Sequence, residues 1–179
     1  MRFLGFDCVW SRTTIADCFE CLDNKRKPLN ESERSVMEGA IPYYGANSIQ
    51  GYVNQSIFDD DLILLAEDGG HFDDFNDHPI AQLIHGKTWV NNHAHVLKPR
   101  EGDIDFFFQQ LVHKDIRRFI NGSSRAKLNQ EDLLQIPVSL TSLSEQRVIG
   151  KFLGALDKRI LIQNKIIEES FSFENHATP

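Results

Sequence analysis

The stretch Ser142-Leu-Ser-Glu-Gln-Arg-Val-Ile-Gly-Lys-Phe-Leu-Gly-Ala-Leu-Asp-Lys-Arg-Ile-Leu-Ile-Gln-Asn-Lys-Ile-Ile-Glu-Glu-Ser170 decides the architecture. Ser142 and Glu145 have the spacing of a capping box, in which hydroxyl and carboxylate each take up an orphan backbone N–H, and Ser144 is a competing N-cap. Beyond them Ile149, Leu153, Leu156, Ile160, Gln163 and Ile167 recur in alternating steps of four and three, which is a heptad seam broken by one amide. Phe152, Leu161, Ile162 and Ile166 add more apolar surface than one face of a small domain covers. The seam therefore asks for a partner helix, or for packing back on its own domain. The spacing predicts a helix over 144–170, roughly 40 Å long at 1.5 Å per residue. A globular domain over 1–143 precedes it, and a polar, fraying tail over 171–179 follows.

Working back from the helix, the signals become short and sheet-like. Gly51-Tyr-Val53, Asp61-Leu-Ile-Leu-Leu-Ala66, Thr88-Trp-Val90 and Ala94-His-Val-Leu97 are each bounded by Gly, Asn, Asp or Pro, as strands of a mixed sheet are. Between Asp103 and Asn121 apolar residues return every three or four positions, from Ile104 and Phe107 to Phe119 and Ile120. That predicts one or two amphipathic helices. Gly122-Ser-Ser124 closes them as a loop, Asn129 N-caps a short helix to Leu134, and Ile136-Pro-Val138 forms an edge strand. The fold class is α/β (α+β), a globular domain with a mixed sheet followed by a long coiled-coil helix.

With 179 residues, 41% of them apolar and 25% charged, the composition is that of an ordinary globular chain. The longest uncharged run, Gly39 to Phe58, is broken by Pro42 and by Gly, Asn and Gln, so no membrane span is expected. The N-terminus lacks an apolar signal run, and three cysteines (Cys8, Cys18, Cys21) are too few for a disulfide framework. Both point to the cytoplasm. The formal net charge is −7, but it is spread unevenly. Ile57 to His78 holds acids and no Lys or Arg, whereas Phe106 to Gln130 holds Lys114, Arg117, Arg118, Arg125 and Lys127 against Asp115 alone. An acidic chain can thus offer a basic surface to a polyanion, although those bases also suit a solvated helix face.

Motifs for chemistry are weak. Cys18-Phe-Glu-Cys21 lacks the second ligand pair of a structural zinc site. His71, Asp73, Asp74, Asp77 and His78, with His93 and His95 further on, allow a metal site to be drawn, but the acids read as loop and the last two histidines as strand. Asp23-Asn-Lys25 is a nuclease-like fragment without its upstream acid. There is no Gly-rich phosphate loop, methyltransferase dipeptide or nucleophile elbow. No catalytic residue, bound metal or bound cofactor is expected.

Six runs in order, Ile41-Pro-Tyr-Tyr-Gly-Ala-Asn47, Ile49-Gln-Gly-Tyr-Val53, Glu67-Asp-Gly-Gly70, Trp89-Val-Asn-Asn-His-Ala-His-Val-Leu97, Gly122-Ser-Ser-Arg-Ala-Lys-Leu-Asn-Gln130 and Ile136-Pro-Val138 with Glu145-Gln146 and Leu153 to Asp157, carry a family signature. The chain resembles, over nearly its whole length, the specificity (S) subunit of type I restriction-modification systems. It departs from the family at Arg125-Ala126, where a Gln-Pro or similar pair is usual, and at Thr141-Ser142, where the approach to the helix is usually proline-rich. The first bears on which bases are read, the second on the angle at which the helix leaves the domain.

The resemblance implies one half of such a subunit: one target-recognition domain and one spacer helix, pairing antiparallel with a second copy or a second half. It implies a non-catalytic module that binds double-stranded DNA and recruits modification methyltransferase subunits, which hold S-adenosylmethionine, and restriction subunits. Loop positions beside glycines, Tyr44, Asn47, His71, Lys87, Ser124, Arg125 and Lys127, are the candidate base readers, while Lys114, Arg117 and Arg118 with Lys127 suit phosphates. Two rivals remain at this level: a metal-dependent nuclease or methyltransferase fragment using the acids at 67–78, and a coiled-coil adaptor without DNA affinity.

Overall fold

Leu62-Ile-Leu-Leu-Ala66 carries no polar side chain, and all five residues are buried, as a strand covered on both faces requires. Around it the computed structural model describes residues 5–122 and 126–176, of which 171–176 are described by backbone alone. The order of elements is β1 (Ser11–Thr14), α1 (Ile15–Cys18), β2 (Phe19–Cys21), α2 (Glu31–Ser35), β3 (Glu38–Tyr44), β4 (Ile49–Val53), β5 (Phe58–Asp59), β6 (Leu62–Ala66), β7 (Ala81–Ile84), β8 (Lys87–Val90), β9 (Ala94–Pro99), α3 (Ile104–Leu111), β10 (Ile120–Asn121), β11 (Lys127–Leu128), α4 (Gln130–Leu134), β12 (Pro137–Leu140) and α5 (Leu143–His176).

One four-stranded sheet has the order β2-β9-β6-β7 and is antiparallel throughout; the other, β4-β3-β8-β5, is mixed because β3 and β8 run parallel. Period-two alternation along β6 joins separate cores. Ile63 and Leu65 enter a large cluster with Phe19, Phe106, Phe107 and Leu111, while Leu62 and Leu64 enter a smaller one with Phe58, Val90 and Val96. Phe19 meets Phe107 edge-on at 4.8 Å. The register of β3 against β4 shifts between Glu38 and Ile41, and Gly39 allows it: a Cβ there would lie 2.5 Å from Asn54 Cα and Val53 O.

The 103–121 region is shorter in helix than its periodicity predicts. Asp103 caps α3, its carboxylate accepting from Phe106 N at 2.9 Å, but α3 ends at Leu111 and Arg117–Phe119 is a single 3-10 turn leading into β10. Ile116 and Ile120 still pack on the main core, so the apolar spacing records burial rather than a continuous helix. His93 likewise lies in the turn before β9, not on the strand with His95.

α5 is one helix of 34 residues, running to His176 rather than stopping at Ser170. Half of the expected capping box forms. Ser142 Oγ accepts from Glu145 N at 3.3 Å, whereas the Glu145 carboxylate is buried and accepts from the Thr141 hydroxyl instead. Ile149 belongs to the main core and Leu153 packs against it, so of the two alternatives the first two seam residues take packing back on their own domain. Gln146 Oε1 accepts from Asp103 N at 3.0 Å, tying the start of α5 to the start of α3. Beyond Leu153 the seam residues Leu156, Ile160, Gln163 and Ile167 are exposed.

Two glycines on α5 test this docking with opposite signs. A Cβ on Gly150 would stand 2.5 Å from Asp103 Oδ1 and 2.7 Å from Phe106 N, whereas one on Gly154 has nothing within 4 Å. Gly150→Ala should lower stability by about 1–3 kcal/mol through overpacking, while Gly154→Ala should raise it by up to about 1 kcal/mol through helix propensity. Urea unfolding midpoints of the two variants measure this; shifts of the same sign would contradict the packing described.

Candidate nucleic-acid interface

Three segments meet at one end of the domain: the β3–β4 turn, the segment leaving β6, and β11. Asn47 Nδ2 donates to Gly69 O at 2.7 Å, and Gln82 Nε2 donates to Ala46 O at 3.1 Å. Leu128 N donates to Glu67 O at 2.8 Å, while Asp68 and Lys127 form an isolated antiparallel bridge. Asn91 N donates to Tyr44 O, which brings the turn before β9 to the same end. Tyr44, Asn47 and Lys127 are thereby linked through Asn91, Gly69 and Asp68, and His71 follows two residues after Gly69. Lys87 stands apart, because it opens β8 opposite Asp59 while Val90, at the other end of β8, pairs with Tyr44; three residues of strand put it roughly 10 Å away. Ser124 and Arg125 lie outside the described residues.

Charge at this end is organised around Glu67. Its carboxylate meets Arg26 at 2.5 Å and Lys127 at 3.0 Å, with His95 at 3.8 Å. Arg26 also meets Asp23 at 3.2 Å and donates to Ala94 O at 2.8 Å. Asp23 takes His95 Nδ1 at 2.6 Å and Val96 N at 2.9 Å, and His95 Nε2 faces Leu128 O at 2.9 Å. Burial alone would raise both carboxyl pKa values. The hydrogen bond and charge of His95, with Val96 N and Arg26, outweigh it at Asp23; Arg26 and Lys127, with His95, outweigh it at Glu67, so both groups titrate below their ordinary values. These contacts fasten β11 to β9 and to the start of the 67–78 segment. Lys127 thus spends its ammonium on Glu67, and Asn47 spends its amide on Gly69; both position the loops that they belong to.

The basic stretch after α3 divides as sharply. Lys114 is half-buried, and burial, with Arg118 nearby, pushes its pKa down. Arg117 grips Asp115 with two bonds, Nε to Oδ1 at 2.9 Å and Nη2 to Oδ2 at 2.7 Å, and this holds the Asp115 carboxyl down to about 2. The Arg117 guanidinium also lies 5.3 Å over the Phe75 ring. Arg118 is exposed over Phe119 and pairs with no carboxylate among the described residues, which makes it the base with most charge to offer a phosphate. His113 Nδ1 lies 2.6 Å from Phe75 O, so this stretch packs on the 67–78 segment and borders the loop end.

Arg26 was not legible as a site residue. Its neighbours Asp23, Lys25 and Lys27 read as a loop of mixed charge, and the acid that it meets lies 41 residues away. Neither Cys18 nor Cys21 has a disulfide partner. Burial, followed by the charge of Asp23, pushes the Cys21 thiol up to about 11, so it is a poor metal ligand as it stands.

The family model described as the type I restriction modification DNA specificity domain matches residues 9–169. The chain is 39% identical over 153 residues to a Haemophilus influenzae protein named as a type I restriction enzyme specificity subunit, a match covering 85% of this chain and 38% of that one. In fold it is similar to the S subunit of a type I restriction-modification system from M. genitalium, with TM-score 0.72, 17% identity and coverage of 98% of this chain and 47% of that one. A chain solved in work on complex assembly of a type I R-M system is similar at TM-score 0.64 and 12% identity, with coverage of 97% and 45%. The chain thus spans less than half the length of each of these relatives. No helix among the described residues is long and apolar enough to cross a membrane.

The depressed pKa values of Asp23 and Glu67 set a direction for stability. Their contribution is complete above the unfolded carboxyl values near 4 and is lost as pH falls through the lower folded values. Urea midpoints should fall steeply below about pH 4. Glu67→Gln should cost about 2–3 kcal/mol at pH 7, because Arg26 and Lys127 lose their partner, and should flatten the acid limb. An acid limb of unchanged slope in this variant would mean that other carboxylates carry it.

Proposed function

We propose, since the chain belongs to the type I restriction-modification DNA specificity family, that it is a non-catalytic module reading one half of a two-part target on double-stranded DNA. The observation that supports this most is the meeting of the Tyr44–Asn47 turn, the Glu67–Gly70 segment and Lys127 of β11 at one end of the domain. The first two bring Gly45, Gly69 and Gly70, and hence close backbone approach, to the same surface. On this reading Tyr44, His71, Ser124 and Arg125 reach base edges. Asn47 and Lys127 hold the loops in register, and Arg118 meets phosphate together with the partly committed Lys114 and Arg117. Lys87, off the cluster, meets the duplex only if the DNA extends along β8.

The helix supplies the other half of the function. Gln109 Nε2 of α3 donates to Asp157 Oδ2 at 2.5 Å, and from Lys158 to His176 α5 extends roughly 29 Å past that last contact, a little under one turn of B-DNA at about 34–36 Å. Its exposed Leu156, Ile160 and Ile167, with Gln163 fixing register, pair antiparallel with a second copy or a second half, so the two recognition domains face one side of the duplex. An identical partner would make the half-sites inverted repeats. Modification subunits carrying S-adenosylmethionine and restriction subunits then assemble on this frame in the cytoplasm and supply all of the chemistry.

Two variants test the separate halves of the proposal. Arg118→Ala should weaken binding to all DNA sequences alike and lower the salt slope by about one, whereas Arg125→Ala should cost roughly 1–3 kcal/mol at one base pair. Anisotropy titrations with the modification subunit present read both; identical behaviour of the two would overturn the division. Light scattering of the chain alone should give the mass of a pair and that of Leu156→Asp the mass of one chain, since a charge in the seam loses its hydration without a partner. A single-chain mass for the parent at tens of micromolar would reject self-pairing.

A further inference from the structure

The 67–78 segment carries a side-chain cluster, His71, Asp74 and His78, of which base reading calls on His71 alone and loop anchoring on none. His71 Nδ1 lies 3.4 Å from Asp74 Oδ1, and His78 Nδ1 lies 2.8 Å from Asp74 Oδ2. The two imidazoles stack with centroids 4.5 Å apart. One donor atom from each of the three residues falls within 4.8 Å of the other two. We propose that His71, Asp74 and His78 bind one divalent transition-metal ion of the zinc class, with solvent completing its coordination.

The donor set selects the ion. Two imidazole nitrogens and a carboxylate oxygen suit zinc and its neighbours, and are foreign to the all-oxygen preference of calcium and magnesium. Two ligands each about 2.0–2.1 Å from a tetrahedral ion stand roughly 3.3 Å apart. The separation of His71 Nδ1 from Asp74 Oδ1, 3.4 Å, is close to that value; His78 Nδ1 lies 2.8 Å from the other oxygen, Oδ2, so that pair must open by about half an ångström and the half-exposed carboxylate must turn for all three residues to share one ion. The donors are held ready by what lies between them. Phe72, Phe75 and Ile80 are buried in the main core. Asp77 N and His78 N both donate to Asp74 O, closing a turn, and His113 bonds Phe75 O. The cost of ordering the ligands is thus met by the fold before the ion arrives.

A second group of potential ligands, Cys21, Asp23 and His95, is closer to the core but is spent internally, since Asp23 and His95 bond each other and His95 also faces Leu128 O. The His71 cluster is on the surface and reachable. Its consequence for DNA rests on the specificity reading above: the segment has acids and no Lys or Arg, so a bound dication lowers its repulsion of a phosphate backbone bordering the loop end.

The test needs neither DNA nor partner subunits, so its failure and that of the specificity reading are separable. The full chain, stripped with a chelator and dialysed, is titrated with Zn2+ by calorimetry and with Co2+ by visible absorption. One ion per chain is expected. His71→Ala, His78→Ala and the nearly isosteric Asp74→Asn should each weaken binding by roughly tenfold or more, each removing one of three ligands. His85→Ala should leave it unchanged, because His85 pairs with Asp61 at 2.8 Å in an equally exposed two-residue contact. Absence of saturable binding at one equivalent, or equal binding by parent and His71→Ala with superimposable circular dichroism, overturns the site and leaves a hydrogen-bonded turn.

Discussion

The docking of α5 on α3 is the constraint on which the rest depends. Gly150 lets the two helices approach until only a hydrogen fits between its Cα and the Asp103–Phe106 turn. Ile149 then reaches the core, and Gln146 takes the Asp103 N–H. Phe106 and Phe107, on the same turn of α3, face the sheet that β6 centres. One short contact thereby fixes the long helix to the recognition domain in direction and in rotation. Rotation matters because an apolar stripe is useful to a partner only if the domain does not cover it, and the stripe leaves the domain at Leu153.

Around the loops the chain solves a different problem, that of fixing polar segments to one another where they meet above the core that Phe72, Phe75 and Leu128 enter. A net acidic chain places two of its carboxylates, Asp23 and Glu67, inside a ring of Arg26, Lys127 and His95, with Asp115 gripping Arg117 beside it. Buried ion pairs are poor sources of net stability but strict about geometry. The cost is a loss of free positive charge, since Lys127 and Arg117 are both engaged. Arg118, laid on Phe119, is left to face outward.

Much of this was legible in the order of residues. Runs at 62–66, 88–90 and 94–97 became strands because burial is written into them, and Asn129 stands at the N-cap of α4 as expected, although its side chain makes no capping bond there. The family runs located the loops that converge. What was not legible came from long-range partners. Ile149 and Leu153 repeat with the heptad as well as any free seam residue, and nothing local says that α3 covers them. Ile116 and Ile120 keep helical spacing in a segment that is a 3-10 turn and a strand, since burial on one core imposes similar spacing on either. Arg26 with Glu67, and Lys87's separation from Tyr44, follow from strand order, which local periodicity does not encode.

The central proposal is that α5, anchored on α3 as far as Asp157 and exposed beyond it, acts as a ruler between two reading heads. The most direct measurement is the sequence of DNA sites methylated by the complete modification complex, with the parent chain and with a variant lacking one heptad, Lys158 to Asn164, in the exposed part of the helix beyond its last contact with α3. The account predicts for the parent two short half-sites about one turn apart, separated by base pairs that are not read. It predicts for the variant a gap shorter by about three base pairs, because seven helical residues span roughly 10 Å. A continuous target in the parent, or an unchanged gap in the variant, would contradict it.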